Sequence, residues 1–386
     1  MPAKAKPAGA ADHRTARSDD QVSARARPLR FGFWMPVFGG WLRNVDDERM
    51  AATWEYQRDL AGSAERTGWD VTLIAELNLN DIKGPDADCL EAWTTAAALA
   101  ASTSTLELMT AVRPNFRLPA VVAKEAATID RISGGRFTLN VVSAWWETES
   151  KMYGGAWVEH DERYARTAEF IAVLKGMWTS PAFSLRGRYY AIDDARLAPK
   201  PVRRPWPTLY AGGESPAAKD LIAAQCDAYL MHGDPIDVLR EKIGDLRQRR
   251  ARHAELPPLR FGVAAYAIVR ESEAAAKREI ERITNVKASA RGYASYLDFV
   301  KGSELGTRIS LEDYSVSNRG LRTGLVGTPE RVAEQARALH AAGVDLLLIQ
   351  CSPQAEEMER FAAEVFPLVA DLRFSARDAG GRAPRP

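Results

Sequence analysis

Asn140 and Ser143 stand at the end of a strand-like run, "RFTLNVVS", that gives way at once to two tryptophans and two glutamates in "AWWETES". An amide and a hydroxyl three residues apart at a strand end can hydrogen-bond the edge of a flat ring, and an aromatic loop beyond them can wall an apolar pocket. A second chemical signal lies in "AGGESPAAKD", 211–220. Gly212 and Gly213 allow close backbone approach and Ser215 caps the helix that Pro216 begins, so this turn can take an anion such as a phosphate; a plain capped helix start has the same residues. Ala75, Asn140, Ser143, Gly212 and Gly213 are small or amide residues at the ends of strand-like runs, which leaves room for a ring to lie across them.

Other chemistries lack their residues. The strand ends carry no lysine for a Schiff base, and of five histidines only His232 falls at such a position, so no metal site is expected. His232 is either a proton donor or a satisfied core histidine. Cys89, Cys226 and Cys351 are too scattered for a disulfide framework, which suits a reducing cytosol, and Cys351 reads as packing. No G-x-G-x-x-G follows a strand, so a nicotinamide dinucleotide of the Rossmann kind has no place. Lys+Arg 52 against Asp+Glu 51, without a basic stripe, argues against nucleic acid. No 18-residue apolar run indicates a membrane span.

The elements that must position these residues alternate. Strand-like runs at 30–36, 71–76, 105–112, 136–143, 208–213, 228–233, 260–269 and 345–351 are separated by amphipathic or Ala-rich segments of helical length, such as "LPAVVAKEAATIDRI" and "TPERVAEQARALHAA". Eight strands alternating with helices form a parallel sheet, and eight is the number that closes a (β/α)8 TIM barrel. With 386 residues the chain has room for insertion segments. They are expected after the fourth strand (145–160), in a Pro-rich hairpin-like piece (179–207), and in a Gly-containing lid at 284–325. The barrel domain is expected over 29–372, between a disordered tail at 1–28 and a loose tail at 373–386.

Five stretches, "NVVSAWWETES", "EHDERYARTAEFI", "LAPKPVRRPWPTLYAGGESPAAKDLIA", "CDAYLMHGDP" and "GLVGTPERVAEQ", occur in an order that resembles the bacterial-luciferase-like flavin monooxygenases. Within them the chain is most similar to the FMNH2-dependent alkanesulfonate and dimethylsulfone monooxygenases, over about residues 30 to 370. The resemblance implies FMN, delivered as FMNH2 by a separate NAD(P)H:FMN reductase, with O2 as co-substrate and C–S bond cleavage in a small organosulfur compound. It also implies a cytoplasmic homo-oligomer, dimer or tetramer. Asn140 and Ser143 would face the flavin ring and Ala75 its far side; Tyr164, Gly213, Glu214 and Ser215 would hold the phosphate. Trp34, Cys89, Trp145, Trp146 and Tyr266 would line the substrate side, although paired tryptophans can equally pack against a neighbouring subunit. Asn140, His232 and a lid arginine, Arg319 or Arg322, would act in catalysis, the arginine by clamping a sulfonate; alternatively both arginines pair with Glu312 or Asp313 on a solvated loop.

The chain departs from the alkanesulfonate type at Ala264 and Tyr266, where those enzymes carry Arg and His, and at Phe38, where they carry His. Those changes move it toward the sulfone type, while Cys89 and the arginine pair keep a sulfonate or sulfosugar open. A deazaflavin-dependent oxidoreductase and a catalytically silent flavin-binding protein are the alternatives; Asn140, Tyr164 and Ser215 speak against the silent one.

Overall fold

The computed structural model describes residues 27–143, 146–155, 157–285 and 315–373. Most of both expected tails, most of the 284–325 lid, and Trp145, Glu312 and Asp313 lie outside the described residues.

All eight runs form strands, and they close. Strands β1 (Arg30–Trp34), β2 (Val71–Ile74), β3 (Glu107–Val112), β4 (Phe137–Val141), β7 (Leu209–Ala211), β8 (Ala228–Met231), β9 (Arg260–Tyr266) and β12 (Leu346–Gln350) make a barrel in chain order, with β12 returning to β1. Every pairing in it is parallel. The intervening β5 (Phe183–Arg186) and β6 (Ala191–Ala195) pair as an antiparallel hairpin outside the barrel, within the expected 179–207 insertion.

Helices α1 (Trp54–Thr67), α2 (Ala92–Ser102), α3 (Pro119–Ile132), α4 (Glu147–Met152), α5 (His160–Thr179), α6 (Pro216–Gln225), α7 (Ile236–Arg250), α8 (Glu273–Thr284), α9 (Pro329–Ala341) and α10 (Gln354–Glu364) fill the connections. Their starts follow from sequence: Thr53, Ser215, Ser272 and Thr328 accept a hydrogen bond from a first-turn amide, and Pro119, Pro216 and Pro329 open helices where no N–H donor is needed. No described helix is long and apolar enough to cross a membrane.

Alternation along the strands divides the core. Val71, Leu73, Met109, Tyr210, Ala228, Leu230, Leu346 and Leu348 pack together inside the barrel, with Trp34 against them, while a larger apolar shell joins the barrel's outer face to the helices. At the N-terminal end Glu107 bridges Arg30 (3.3 Å) and Arg203 (3.1 Å), closing the floor with charge.

One element differs from the reading of 260–269 as a single strand. The strand leaves the barrel after Tyr266, and Ile268–Val269 (β10) pairs with Val326–Gly327 (β11) in a separate parallel sheet. The apolar run continues through the bend because both sheets are buried. That small sheet ties the chain after Ser317–Thr323, a 3-10 stretch broken by left-handed φ angles at Asn318 and Arg319, back to the barrel mouth.

Candidate active site at the mouth of the barrel

The inward-facing positions at the C-terminal ends of the strands form the site. Asn140 lies between Ala111 and Tyr210 in the sheet register and is buried, and its Oδ1 accepts no hydrogen bond among the described residues. Trp34 Nε1, at the end of β1, is likewise buried and has no partner among the described residues. An unmet acceptor and an unmet donor in one mouth each cost about 1–3 kcal/mol unless a ligand pairs them. Ala75, just past β2, is half-buried. Ser143 Oγ lies 3.0 Å from Thr167 Oγ1, which fixes the chain leaving β4 to α5.

The neighbouring corner is built by α5 and α6. Gly213 has a φ of +144°, and a Cβ there would stand 2.5 Å from the Ala218 methyl and 3.1 Å from the Tyr164 hydroxyl, so only glycine fits. Ser215 caps α6 through Ala218 N (3.2 Å), and the Tyr164 hydroxyl points into the same turn, beside Gly213. Burial raises the Tyr164 pKa, which keeps its hydroxyl a neutral donor. Tyr229 donates to the Gly213 carbonyl at 3.0 Å. Two hydroxyls and a helix N-terminus converge here, the donor set an anion needs.

Behind that corner stands an ion cluster. Lys242 of α7 lies 2.5 Å from Glu214 and 2.6 Å from Asp234; Arg319 contacts Glu214 and lies 3.4 Å from Asp234; Arg322 reaches Asp234 at 3.3 Å. Burial alone would raise the Glu214 carboxyl, but the Lys242 hydrogen bond and the Arg319 charge outweigh it and hold its pKa at about 2. His232, facing inward after β8, is pushed down to about 4 by burial and then by Arg319, so it is neutral. The 317–323 stretch can lie this close because a Cβ on Gly233 would fall 2.5 Å from the Arg319 carbonyl oxygen. The two lid arginines therefore meet carboxylates of the β7 and β8 loops.

The remaining sequence candidates are held less openly. Cys89 is half-buried with Sγ 3.4 Å from the Leu77 carbonyl, and burial, with Asp81 and Glu149 adding to it, pushes its thiol up to about 12; it is a neutral side chain there. Tyr266 packs under the 315–323 stretch with Leu42, Ile268, Ile283 and Val316, and its hydroxyl finds no partner among the described residues. Trp146 caps α4 and packs against the outer core. A cavity of about 380 Å³ opens beside the mouth, between the β1 and β2 loops, lined by Phe38, Met50, Tyr56, Asn80 and Lys83 among others.

Sequence reasoning missed a second cluster. Arg113, the residue after β3, holds Glu149 of α4 through both guanidinium nitrogens (Nη2 at 2.9 Å), and its backbone N–H donates to Glu76 at 2.6 Å. Arg117 joins Glu76, Glu91 (2.7 Å) and Glu125 (3.3 Å). The signal was two arginines, "RPNFR", directly at a barrel strand's C-terminal end. Among the described residues, no three His, Cys, Asp or Glu side chains cluster to hold a metal ion.

The family described as luciferase-like monooxygenase matches residues 30–346. An FMNH(2)-dependent dimethylsulfone monooxygenase of Pseudomonas putida is 35% identical over 363 residues, 92% of this chain and 99% of that protein. A protein of the same name from Pseudomonas fluorescens (strain Pf0-1) is 34% identical over 361 residues, 91% and 97% of the two chains. A solved long-chain alkane monooxygenase shares the fold with a TM-score of 0.76 at 18% identity, covering 93% of each chain.

Proposed function

The chain belongs to the luciferase-like monooxygenase family, and from that membership we propose that it uses reduced FMN and O2 to cleave a C–S bond in a small neutral sulfone. The residues at the mouth fit that cofactor: Tyr164, Ser215 and the Gly213 turn would hold the phosphate, and the orphaned Asn140 Oδ1 would accept from a ring N–H. Reduced FMN, brought by a separate NAD(P)H:FMN reductase, supplies the two electrons that activate O2. The balanced reaction converts R–SO2–CH2R′, O2 and reduced FMN into a sulfinate, an aldehyde, FMN and water.

The chain's own part is to bind, orient and exclude water. The Trp34 indole N–H offers a donor to a sulfone oxygen or to the ring. His232, neutral at working pH, can donate a hydrogen bond without adding charge. The 315–323 stretch covers the β8 and β9 ends and keeps solvent from that side. Three free cysteines suit work in the cytoplasm, and exposed Leu118 and Val121 at the start of α3 suit packing against a second copy.

The observation that carries the choice of a sulfone over a sulfonate or sulfosugar is the pairing of Arg319 and Arg322 with Glu214 and Asp234. A sulfonate needs a guanidinium to balance a fixed negative charge, whereas a sulfone needs only dipoles and an apolar pocket. The relatives named for dimethylsulfone support the same choice. The test is a reductase-coupled assay over dialkyl sulfones, counting sulfinate and aldehyde per O2 consumed. The expected yield approaches one of each, and Asn140→Ala should keep O2 uptake while product per O2 falls at least about fivefold. Reduced-FMN binding without sulfinate from any sulfone would overturn the reading.

A further inference from the structure

Helix α4 is six residues long, far too short to be stable by itself, and only Glu149 and Ser150 of it are buried. Met152 and the following Tyr153 are exposed, so no apolar face anchors it. Polar contacts dock it instead. Glu149 takes both guanidinium arms of Arg113 and the Asn78 N–H (2.5 Å), Ser150 Oγ accepts from Asn115 (2.5 Å), and the Tyr153 hydroxyl donates to the Asn78 carbonyl (3.0 Å). These partners come from the loops after β2 and β3. Trp146, whose carbonyl accepts from Ser150 N at 3.2 Å, is held by the same helix on the chain leaving β4.

We propose that Glu149 and Arg113 are positioning residues for the β2–β4 side of the mouth: their buried ion pair fixes α4 against the loops after β2 and β3, and so sets the shape of the side on which the organosulfur compound would be received. This rests on the monooxygenase reading for what the pocket receives, but the docking itself does not. Arg113 is held from three further sides. Its guanidinium lies 3.8 Å from Glu76, its charge sits over the Phe116 ring at 4.4 Å, and its backbone is bound to Glu76, so it cannot follow α4 if the helix moves. The pair therefore acts as a fixed peg and a socket, with direction set by two parallel N–H···O bonds.

The test is Glu149→Gln, which keeps the shape and an acceptor for the Asn78 amide but removes the charge. Lys151, exposed on α4, reports docking through tryptic cleavage after it in the folded protein. The expected result is cleavage at that bond about tenfold faster, a KM for the sulfone raised about tenfold with little change in kcat, and FMN affinity unchanged, because Tyr164, Ser215 and the Gly213 turn make none of the contacts that dock α4. Tyr153→Phe, an exposed change that leaves the charges alone, should move cleavage and KM in the same direction by about twofold and serves if the first variant fails to fold. Wild-type cleavage and KM in folded variants, or FMN affinity falling in parallel with KM, would overturn the assignment. A wild-type protein inactive on every sulfone would sink the functional reading, while the cleavage rates would still decide the docking.

Discussion

The two sides of the barrel mouth are both tied by ion clusters, and they are tied differently. On the β2–β4 side Arg113 and Glu149 have side chains 2% and 0% exposed, and the cluster joins the connections after three neighbouring strands of the barrel. On the β7–β8 side Asp234 and Arg319 are nearly buried, but Glu214 and Arg322 at the edge are 32% and 30% exposed, and the cluster fastens a stretch about 100 residues further along the chain. Charge without water must stay paired, because an uncompensated buried ion is expensive. Charge in partial contact with water can exchange partners at small cost. One wall of the mouth is thus fixed and the other releasable, which suits a site where substrate geometry must hold while cofactor and product come and go.

The largest expected effect breaks the fixed wall. Arg113→Ala should destabilise the fold by about 3–5 kcal/mol in urea unfolding, since Glu149 would be left buried and unpaired. Arg322→Ala on the other wall should cost about 1 kcal/mol or less. Equal losses would erase the distinction between the walls.

The next effect sharpens the cofactor corner. Ser215→Ala combined with Tyr164→Phe should weaken FMN by about 1–3 kcal/mol through two hydrogen bonds to a charged group. Riboflavin, lacking the phosphate, should bind both proteins alike. A parallel loss for riboflavin would move the anion elsewhere.

A further effect is acid sensitivity of the releasable wall. His232 has its pKa lowered from 6.5 to about 4, so the unfolded state binds the proton first and stability falls as pH drops through that window. Glu214, lowered from 4.5 to about 2, contributes stability that is present above 4.5 and lost as pH falls toward 2. Melting temperature between pH 7 and 4 should decline in the wild type and flatten in His232→Gln. An unchanged slope in the variant would remove His232 from the account.

The barrel was legible because each strand is a bounded apolar run and the helices announce their starts with Ser, Thr and Pro. The glycine turn and the capped start of α6 were legible for the same reason: Gly213, Ser215 and Pro216 are local chemistry. The departure of β10 from the barrel was not, since "AYAIV" is apolar on both sides of the bend and nothing in it marks the change of partner. Nor were the ion clusters, whose partners lie 36 residues apart for Arg113 and Glu149 and 105 for Glu214 and Arg319. Sequence showed that Arg319 and Arg322 are charged. Only the fold shows Asp234 waiting for them.

The central claim, that this mouth takes a neutral sulfone, is tested most directly by competition. A short dialkyl sulfone and its matching alkanesulfonate would be offered together to the wild-type protein with reductase, FMN and O2, and sulfinate, sulfite and aldehyde counted over time. With the arginines committed to Glu214 and Asp234, kcat/KM should favour the sulfone by at least about 30-fold, the equivalent of one unbalanced charge at a partly dry site. Sulfite release from the sulfonate at an equal or greater rate would contradict it.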